Sequence, residues 1–458
     1  MLRSIGSMPQ APSRPPILIF PIGGRQPLPA STRRWRADER HSAQYQFLPS
    51  PRKQRIMKIN PPLLALAIGA FGIGVTEFSP MGMLPLIASD LGVSIPAAGL
   101  LISAYAFGVL IGAPIMTLAF AGMARKRLLL LAALIFTVGN LISAMSDSYA
   151  MLLVGRVVTS FNHGAFFGVG AVVAASIVPP ERRAGAVSAM FSGLTLATIG
   201  GVPLATWVAG LIGWRMAFFG IAAIGVVTMA ALAVSLPPMR VAQKADMRSE
   251  LRVLFRRPVL TALLLTVVGA SAMFTVFTYI APILQIETGA GATFVTAMLV
   301  IYGLGLAVGN VVGGRFADRS LDGTLIVSLA AVVVFLVLFA LGMGSAVVAA
   351  PLIFLWGVAS FALVPPLQTR VVQEASDAPN LASAMNIGAF NLGNAIGAAL
   401  GGAVIDVGLG YRAVALAGAA TAIAGLVLAL VFRQGNAAVA VDGSGTEGAA
   451  ACPEGVGQ

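Results

Sequence analysis

Tyr105, Gly108 and Gly112 recur 197 residues further on as Tyr302, Gly305 and Gly309. At the same offset Pro85 meets Pro282, Asp90 meets Glu287, and Gly213-Trp214-Arg215 meets Gly410-Tyr411-Arg412. Ser188-Ala189-Met190 matches Ser383-Ala384-Met385 with a two-residue slip. An apolar composition alone does not align glycines, prolines and arginines at one spacing. The chain is therefore built twice over, and whatever one half forms the other should form again.

Each half is a set of apolar runs. Of the 458 residues 58% are hydrophobic and only 10% charged, against about 25% charged in soluble domains. About 20 residues of helix cross a hydrocarbon core of about 30 Å. The runs are continuous rather than alternating, which favours helices over barrel strands. Twelve spans are expected: 62–87, 96–122, 128–145, 151–178, 186–211, 216–236, 258–285, 292–315, 324–343, 347–370, 382–406 and 411–432. The expected fold is an all-α membrane protein of two pseudo-symmetric six-helix bundles, 57–236 and 258–433. Residues 237–257 link them and should include a short amphipathic surface helix. A leader, 1–56, and a tail, 434–458, are expected to be disordered, with Met57 a candidate for the true start. A repeat of this kind places a binding site between its halves near mid-membrane.

The net charge of +12 does not point to nucleic acid. Eleven Lys/Arg against Asp38 and Glu39 put +9 of it before residue 59. The remaining basic residues gather on one side of the membrane. Arg125, Lys126, Arg127, Arg182, Arg183, the linker, Arg315, Arg319, Arg370 and Arg433 lie there, against Arg215 and Arg412 on the other. The positive-inside rule then puts both termini in the cytoplasm. The single cysteine, Cys452, and two histidines make neither an internal disulfide nor a metal site.

The fourth run, MLLVGRVVTSFNHGAFFGVGAVVAASIV, carries Arg156, Asn162 and His163. An arginine at such depth costs about 2.5–3.5 kcal/mol on insertion scales. It should face a polar path or a carboxylate. Glu77 lies about 15 Å in from the outer end of span one and His163 about 18 Å in from that of span four. A carboxylate in a poorly hydrated site can carry a proton near neutral pH. Glu77 is therefore expected to be the proton-coupling acid, tuned by Arg156 or His163. A static pair ordering two helices is the alternative, and for His163 alone a packing role is the stronger reading.

Glycines four apart, such as Gly108/Gly112 and Gly393/Gly397/Gly401, let helices approach closely in lipid. After span eight comes GGRFADRS, where Gly314, Asp318 and Arg319 are expected to form a gating latch by capping or ion pairing. The matching place in the first half reads AFAGMARKR, with Ala121 where Asp318 would map.

These motifs resemble the major facilitator superfamily, in its twelve-span drug:proton antiporter branch, and most nearly its AraJ-like group of sugar and drug efflux proteins. The resemblance covers Met57 to Arg433. GGRFADRS is similar to the superfamily's loop motif, and Arg156 with GRVVTSFNHGAFFGVG to the span-four motif of proton-coupled members. Gly200, Gly201 and Pro203 sit in a stretch that resembles the span-five antiporter motif, with Ala205 where relatives often have glycine. Thr76 to Ser94 resembles the group's first-span signature. The resemblance implies efflux by alternating access, driven by the proton gradient with no cofactor, by a monomer in the inner membrane. An importer shares the fold, and only the span-five motif separates the two.

Phe166, Phe167, Phe274, Tyr279, Asn391 and Asn394 are candidates for contact with the transported solute. With little charge beyond Glu77 and Arg156, the site favours a neutral or amphiphilic small molecule such as a sugar, nucleoside or antibiotic. The lipid bilayer is the other expected partner, and nucleic acid is not one. An intramembrane enzyme would need a nucleophile–base set or paired acids, which one interior histidine does not supply.

Overall fold

A computed structural model describes residues 60–120, 122–239 and 252–433. The leader, Ala121, the middle of the linker and the tail with Cys452 lie outside the described residues. Among those described, twelve helices are long and apolar enough to cross a membrane. In order they are Pro61–Leu91, Ile95–Met116, Arg125–Ala144, Tyr149–Ser176, Arg183–Ile212, Trp214–Ser235, Arg257–Glu287, Ala292–Ala317, Leu321–Gly342, Ala346–Glu374, Leu381–Asp406 and Gly410–Val431. These are spans one to twelve. All twelve expected runs are present, within a few residues of their expected limits.

Three spans are interrupted, and each break lies about four residues before a proline. Span five passes through a π turn, Ala197–Gly201, ahead of Pro203. Span seven breaks between Phe277 and Ile280, ahead of Pro282, and span ten between Phe361 and Val364, ahead of Pro366. A proline has no N–H for the carbonyl four residues back, and its ring crowds that carbonyl. Span one carries Pro80 and Pro85 yet stays one helix.

Buried apolar residues sort into two main clusters. One is drawn from spans one to six. The other is drawn chiefly from spans seven to twelve, joined at the seam by Phe78, Met81, Leu84, Ala98, Ile102 and Val202. Spans one and seven are central to this seam. Every residue is buried from 72 to 84 in the first and from 269 to 284 in the second, stretches that begin at the same point of the repeat. Toward the end that carries the basic loops, at 61–68 and 257–264, buried and open positions mix. The halves are thus packed shut around the end away from the basic loops and looser toward it.

The closed end is tied within each half by a repeated ion pair. Arg215 Nη1 donates to Asp90 Oδ2 at 2.5 Å, Trp214 Nε1 reaches the same oxygen at 3.2 Å, and Arg215 Nε donates to the Ser146 carbonyl at 2.9 Å. In the second half Arg412 lies 3.6 Å from Glu287. Both arginines follow a glycine turn with φ of +96° at Gly213 and +79° at Gly410. That left-handed backbone strongly favours glycine, which accounts for its recurrence. So span one is fastened to span six, and span seven to span twelve, by the same device.

Close helix contact depends on particular glycines. A Cβ at Gly193 would lie 2.0 Å from the Ala67 carbonyl oxygen of span one. A Cβ at Gly185 would meet nothing within 4 Å. Gly193→Ala should therefore lower stability by about 1–3 kcal/mol through overpacking. Gly185→Ala should not lower it. Thermal unfolding of the purified variants checks the contrast.

Candidate functional site

Span four starts at Ser148, whose side chain accepts the Met151 N–H at 3.3 Å. Its buried positions include Arg156, Thr159, Asn162, His163, Phe166 and Phe167, recurring at helical spacing along one stripe. Spans three and four approach so closely that a Cβ at Gly139 would lie 2.6 Å from the Thr159 backbone nitrogen. That contact sets the stripe against span one.

Span one meets it with Thr76-Glu77-Phe78-Ser79-Pro80. In a helix the Thr76 carbonyl would accept the N–H of residue 80, and proline has none. Arg156 fills the vacancy, with Nη1 donating to the Thr76 oxygen at 2.7 Å. Its guanidinium lies 4.2 Å from the centre of the Tyr105 ring, a cation–π contact strengthened by desolvation. Thr76 Oγ1 donates to Asn140 Oδ1 at 2.6 Å, and Asn140 Nδ2 to the Phe136 carbonyl at 2.8 Å. Arg156 Nε and Nη2 have no hydrogen-bond partner among the described residues.

Glu77 lies beside this group. Its Oε2 is 3.9 Å from His163 Nδ1. The Tyr105 hydroxyl stands 3.1 Å from that same nitrogen, and the Phe167 ring is 5.0 Å from the imidazole. Exposure is 3% for Glu77, 1% for Arg156 and 4% for His163. One acid, one base, one imidazole and one phenol therefore share a buried site inside the first half. Three of them stood out in the sequence as ionisable groups in apolar runs. Tyr105 did not, because a single tyrosine in an apolar helix carries no such signal.

At equivalent points of the second half the polar set is absent. The repeat offset carries Glu77 to Phe274, Arg156 to Ile353, His163 to Ser360 and Pro80 to Phe277, with only Tyr302 kept. Phe277 stacks on Tyr302 at 4.5 Å and Phe78 packs edge-on against Phe277 at 6.2 Å. The ionisable cluster stands on one side of the seam, and the matching positions on the other side carry none of its charged groups.

The expected solute residues fall in two groups, Phe166 and Phe167 on span four, and Phe274, Tyr279, Asn391 and Asn394 on spans seven and eleven, which pack together. Phe166 packs into span one where Gly69 leaves room. Phe167 stacks on Phe191 at 5.1 Å and touches the charged cluster through His163. Phe274 lies on the seam, 6.1 Å from Phe78 and 5.5 Å from Phe390. Tyr279 donates to the Ala398 carbonyl at 2.8 Å and sits against Gly99 of span two. Asn391 Nδ2 donates to the Ile387 carbonyl at 3.0 Å, while its Oδ1 and both polar atoms of Asn394 are buried without a partner among the described residues.

Asp318 and Arg319 are exposed at the end of span eight, with the Arg319 guanidinium 5.6 Å from the Phe316 ring. Gly314 has open space where a Cβ would be. The ion pair of this region belongs to Asp322, whose Oδ1 accepts from Arg370 Nη1 at 2.8 Å; Arg370 also donates to the Phe432 carbonyl. Ser320 caps span nine through the Gly323 N–H, which sets Asp322 in the first turn facing span ten. In span five a Cβ at Gly201 would lie 2.3 Å from Val75, whereas Gly200 faces open space. Pro203 is buried just past the π turn, whose Thr198 carbonyl closes on Gly303 of span eight.

Residues 66–387 match the family model described as Major Facilitator Superfamily. Over 378 residues the chain is 56% identical to the inner membrane transport protein YdhP of Escherichia coli (strain K12), covering 82% of this chain and 97% of that one. It is 36% identical over 377 residues to AraJ of the same organism, covering 81% and 95%. The crystal structure of a D-xylose-proton symporter shares the fold at 15% identity, with a TM-score of 0.65 over 80% of this chain and 96% of that one.

The tyrosine can be tested in two steps. Tyr105→Phe removes the hydroxyl facing His163 and should cost about 1 kcal/mol. Tyr105→Leu also removes the ring under Arg156 and should cost about 0.5–2 kcal/mol more. Thermal unfolding of the two variants side by side measures both.

Proposed function

The chain belongs to the major facilitator superfamily, and on that premise we propose that it exports a small neutral or amphiphilic solute in exchange for protons. It is a multi-pass inner membrane transporter. Glu77 takes up and releases the proton, with His163 and Arg156 setting its surroundings. The proton gradient supplies the energy and no cofactor takes part. The protein works as a monomer, with both termini in the cytoplasm.

The observation that carries this reading is the buried contact of Glu77 with His163, next to Arg156. Ionisable groups at such depth are expensive and mark ion or substrate paths when they persist. On the second half's side of the seam stand Phe274 and Phe277, against Phe78, and they are uncharged. This supports a sugar, nucleoside or antibiotic over a phosphorylated solute. The family relationship and the wholly buried middles of spans one and seven support alternating access about this seam. With the basic loops taken as cytoplasmic, the conformation is closed on the outer side. The π turn ahead of Pro203 supports export, through the likeness of this segment to the antiporter motif.

A panel of sugars, nucleosides and antibiotics, scored by growth in a strain without its own pumps, finds the cargo. Inverted membrane vesicles with an imposed pH gradient then give direction and coupling. Glu77→Gln should abolish gradient-driven uptake into these vesicles, by 10-fold or more on the order typical of lost proton transfer, while the protein still inserts. Full gradient-driven transport by this variant contradicts the coupling role.

A further inference from the structure

Arg156 makes a contact that proton coupling does not by itself require. Its Nη1 is bound to the one main-chain oxygen of span one that Pro80 strips of its helical donor. Two further donors, Nε and Nη2, are buried and unpartnered among the described residues. Glu77 is the next residue after Thr76, yet its carboxylate has an ion-pair contact with His163 and none with Arg156. The arginine is thus tethered beside the acid without being paired to it.

We propose that Pro80 and Arg156 form a latch in which the guanidinium stands in for the N–H that proline lacks. Resting on the coupling role proposed for Glu77, the latch links the charge of that acid to the shape of span one. With Glu77 protonated and neutral, the Thr76 carbonyl is the best acceptor within reach and holds Nη1. When Glu77 loses its proton to the aqueous path, its two oxygens match the fork of Nε and Nη2. The guanidinium then turns to the carboxylate and leaves the Thr76 carbonyl without a donor beside the Pro80 ring. Span one bends at that point, since a freed carbonyl and a proline ring are the usual origin of a helix kink. The groups facing Glu77 from the packed spans are Tyr105 of span two and Arg156 and His163 of span four. None is an acid that would compete for the guanidinium.

The repeat supplies an internal comparison. In the second half Phe277 stands at the place of Pro80 and Ile353 at that of Arg156, and the same six-span unit is formed without the latch. The contact is therefore not a requirement of the fold. Pro80 is a positioning residue: it keeps Arg156 from pairing with Glu77 until the acid is ionised.

The test needs no cargo. The full-length protein in detergent is titrated by infrared difference spectroscopy, and the protonated carboxyl band absent from Glu77→Gln is followed. Pro80→Ala restores a helical donor for the Thr76 carbonyl and releases Arg156 to the carboxylate. The Glu77 band should then be lost at a pH about one unit lower, or more. In an Arg156→Gln background, which keeps an amide donor for the carbonyl but removes the charge, Pro80→Ala should change nothing. A Pro80→Ala protein that titrates like the unmodified one overturns the latch and leaves proton uptake at Glu77 standing. A shift that persists in the Arg156→Gln background also overturns it, by assigning the effect to helix shape alone. A chain with no carboxyl band that Glu77→Gln removes overturns both the latch and the coupling role.

Discussion

The guanidinium of Arg156 on the Thr76 carbonyl is the contact around which the buried polar cluster of the first half is arranged. A charge at that depth needs an acceptor, and a helix carbonyl that has lost its own N–H donor is a strong one. Pro80 does so. The Tyr105 ring supports the face of the cation, and the tight packing of spans three and four at Gly139 and Gly155 holds span four where Arg156 reaches span one. Glu77 and His163 complete the cluster because they share this meeting of helices. Removing any one of proline, arginine or tyrosine changes what the others can bind.

The two halves repeat their structural ties but not their chemistry. Asp90–Arg215 and Glu287–Arg412 are the same clamp made twice, and the wholly buried stretches 72–84 and 269–284 begin at the same point of the repeat and overlap over its next thirteen positions. The charged cluster occurs once. A symmetric scaffold thus encloses an asymmetric interior, with the ionisable groups on one bundle and Phe274, Ile353 and Ser360 at the matching positions of the other. Exposed pairs such as the clamps contribute about 0–1 kcal/mol each, so most of the hold between these helices comes from their buried apolar contacts.

Much of this was legible in the sequence because lipid imposes a single rule on each run: be apolar, be helical, be long enough. Twelve spans and their order follow from that rule, and the offset of matched glycines and prolines reveals the doubling. Glu77, Arg156 and His163 stand out because ionisable groups are rare in such runs. Tyr105 and Asn140 were missed because a tyrosine or asparagine in a helix is ordinary until its neighbour is known. The Thr76 carbonyl was hidden because it is backbone, though Pro80 four residues on was a usable sign. Asp90 and Arg215 lie 125 positions apart, as do Glu287 and Arg412, and that equal separation was a second sign of pairing. In the loop after span eight the expected latch acid was Asp318. The observed ion pair falls to Asp322 because Ser320 caps the next helix and turns its first residues toward span ten. Which of the solute candidates share a face was not legible, because sequence gives depth along a span but not the direction a side chain takes.

The most direct measurement is the separation of the Arg156 guanidinium nitrogens from the Thr76 carbonyl carbon, by dipolar recoupling in the solid-state NMR spectrum of membrane-embedded, isotope-labelled protein. A guanidinium nitrogen 2.7 Å from the carbonyl oxygen predicts strong nitrogen–carbon coupling at a pH where Glu77 holds its proton. The absence of that coupling, with Arg156 instead paired to another group, contradicts the account.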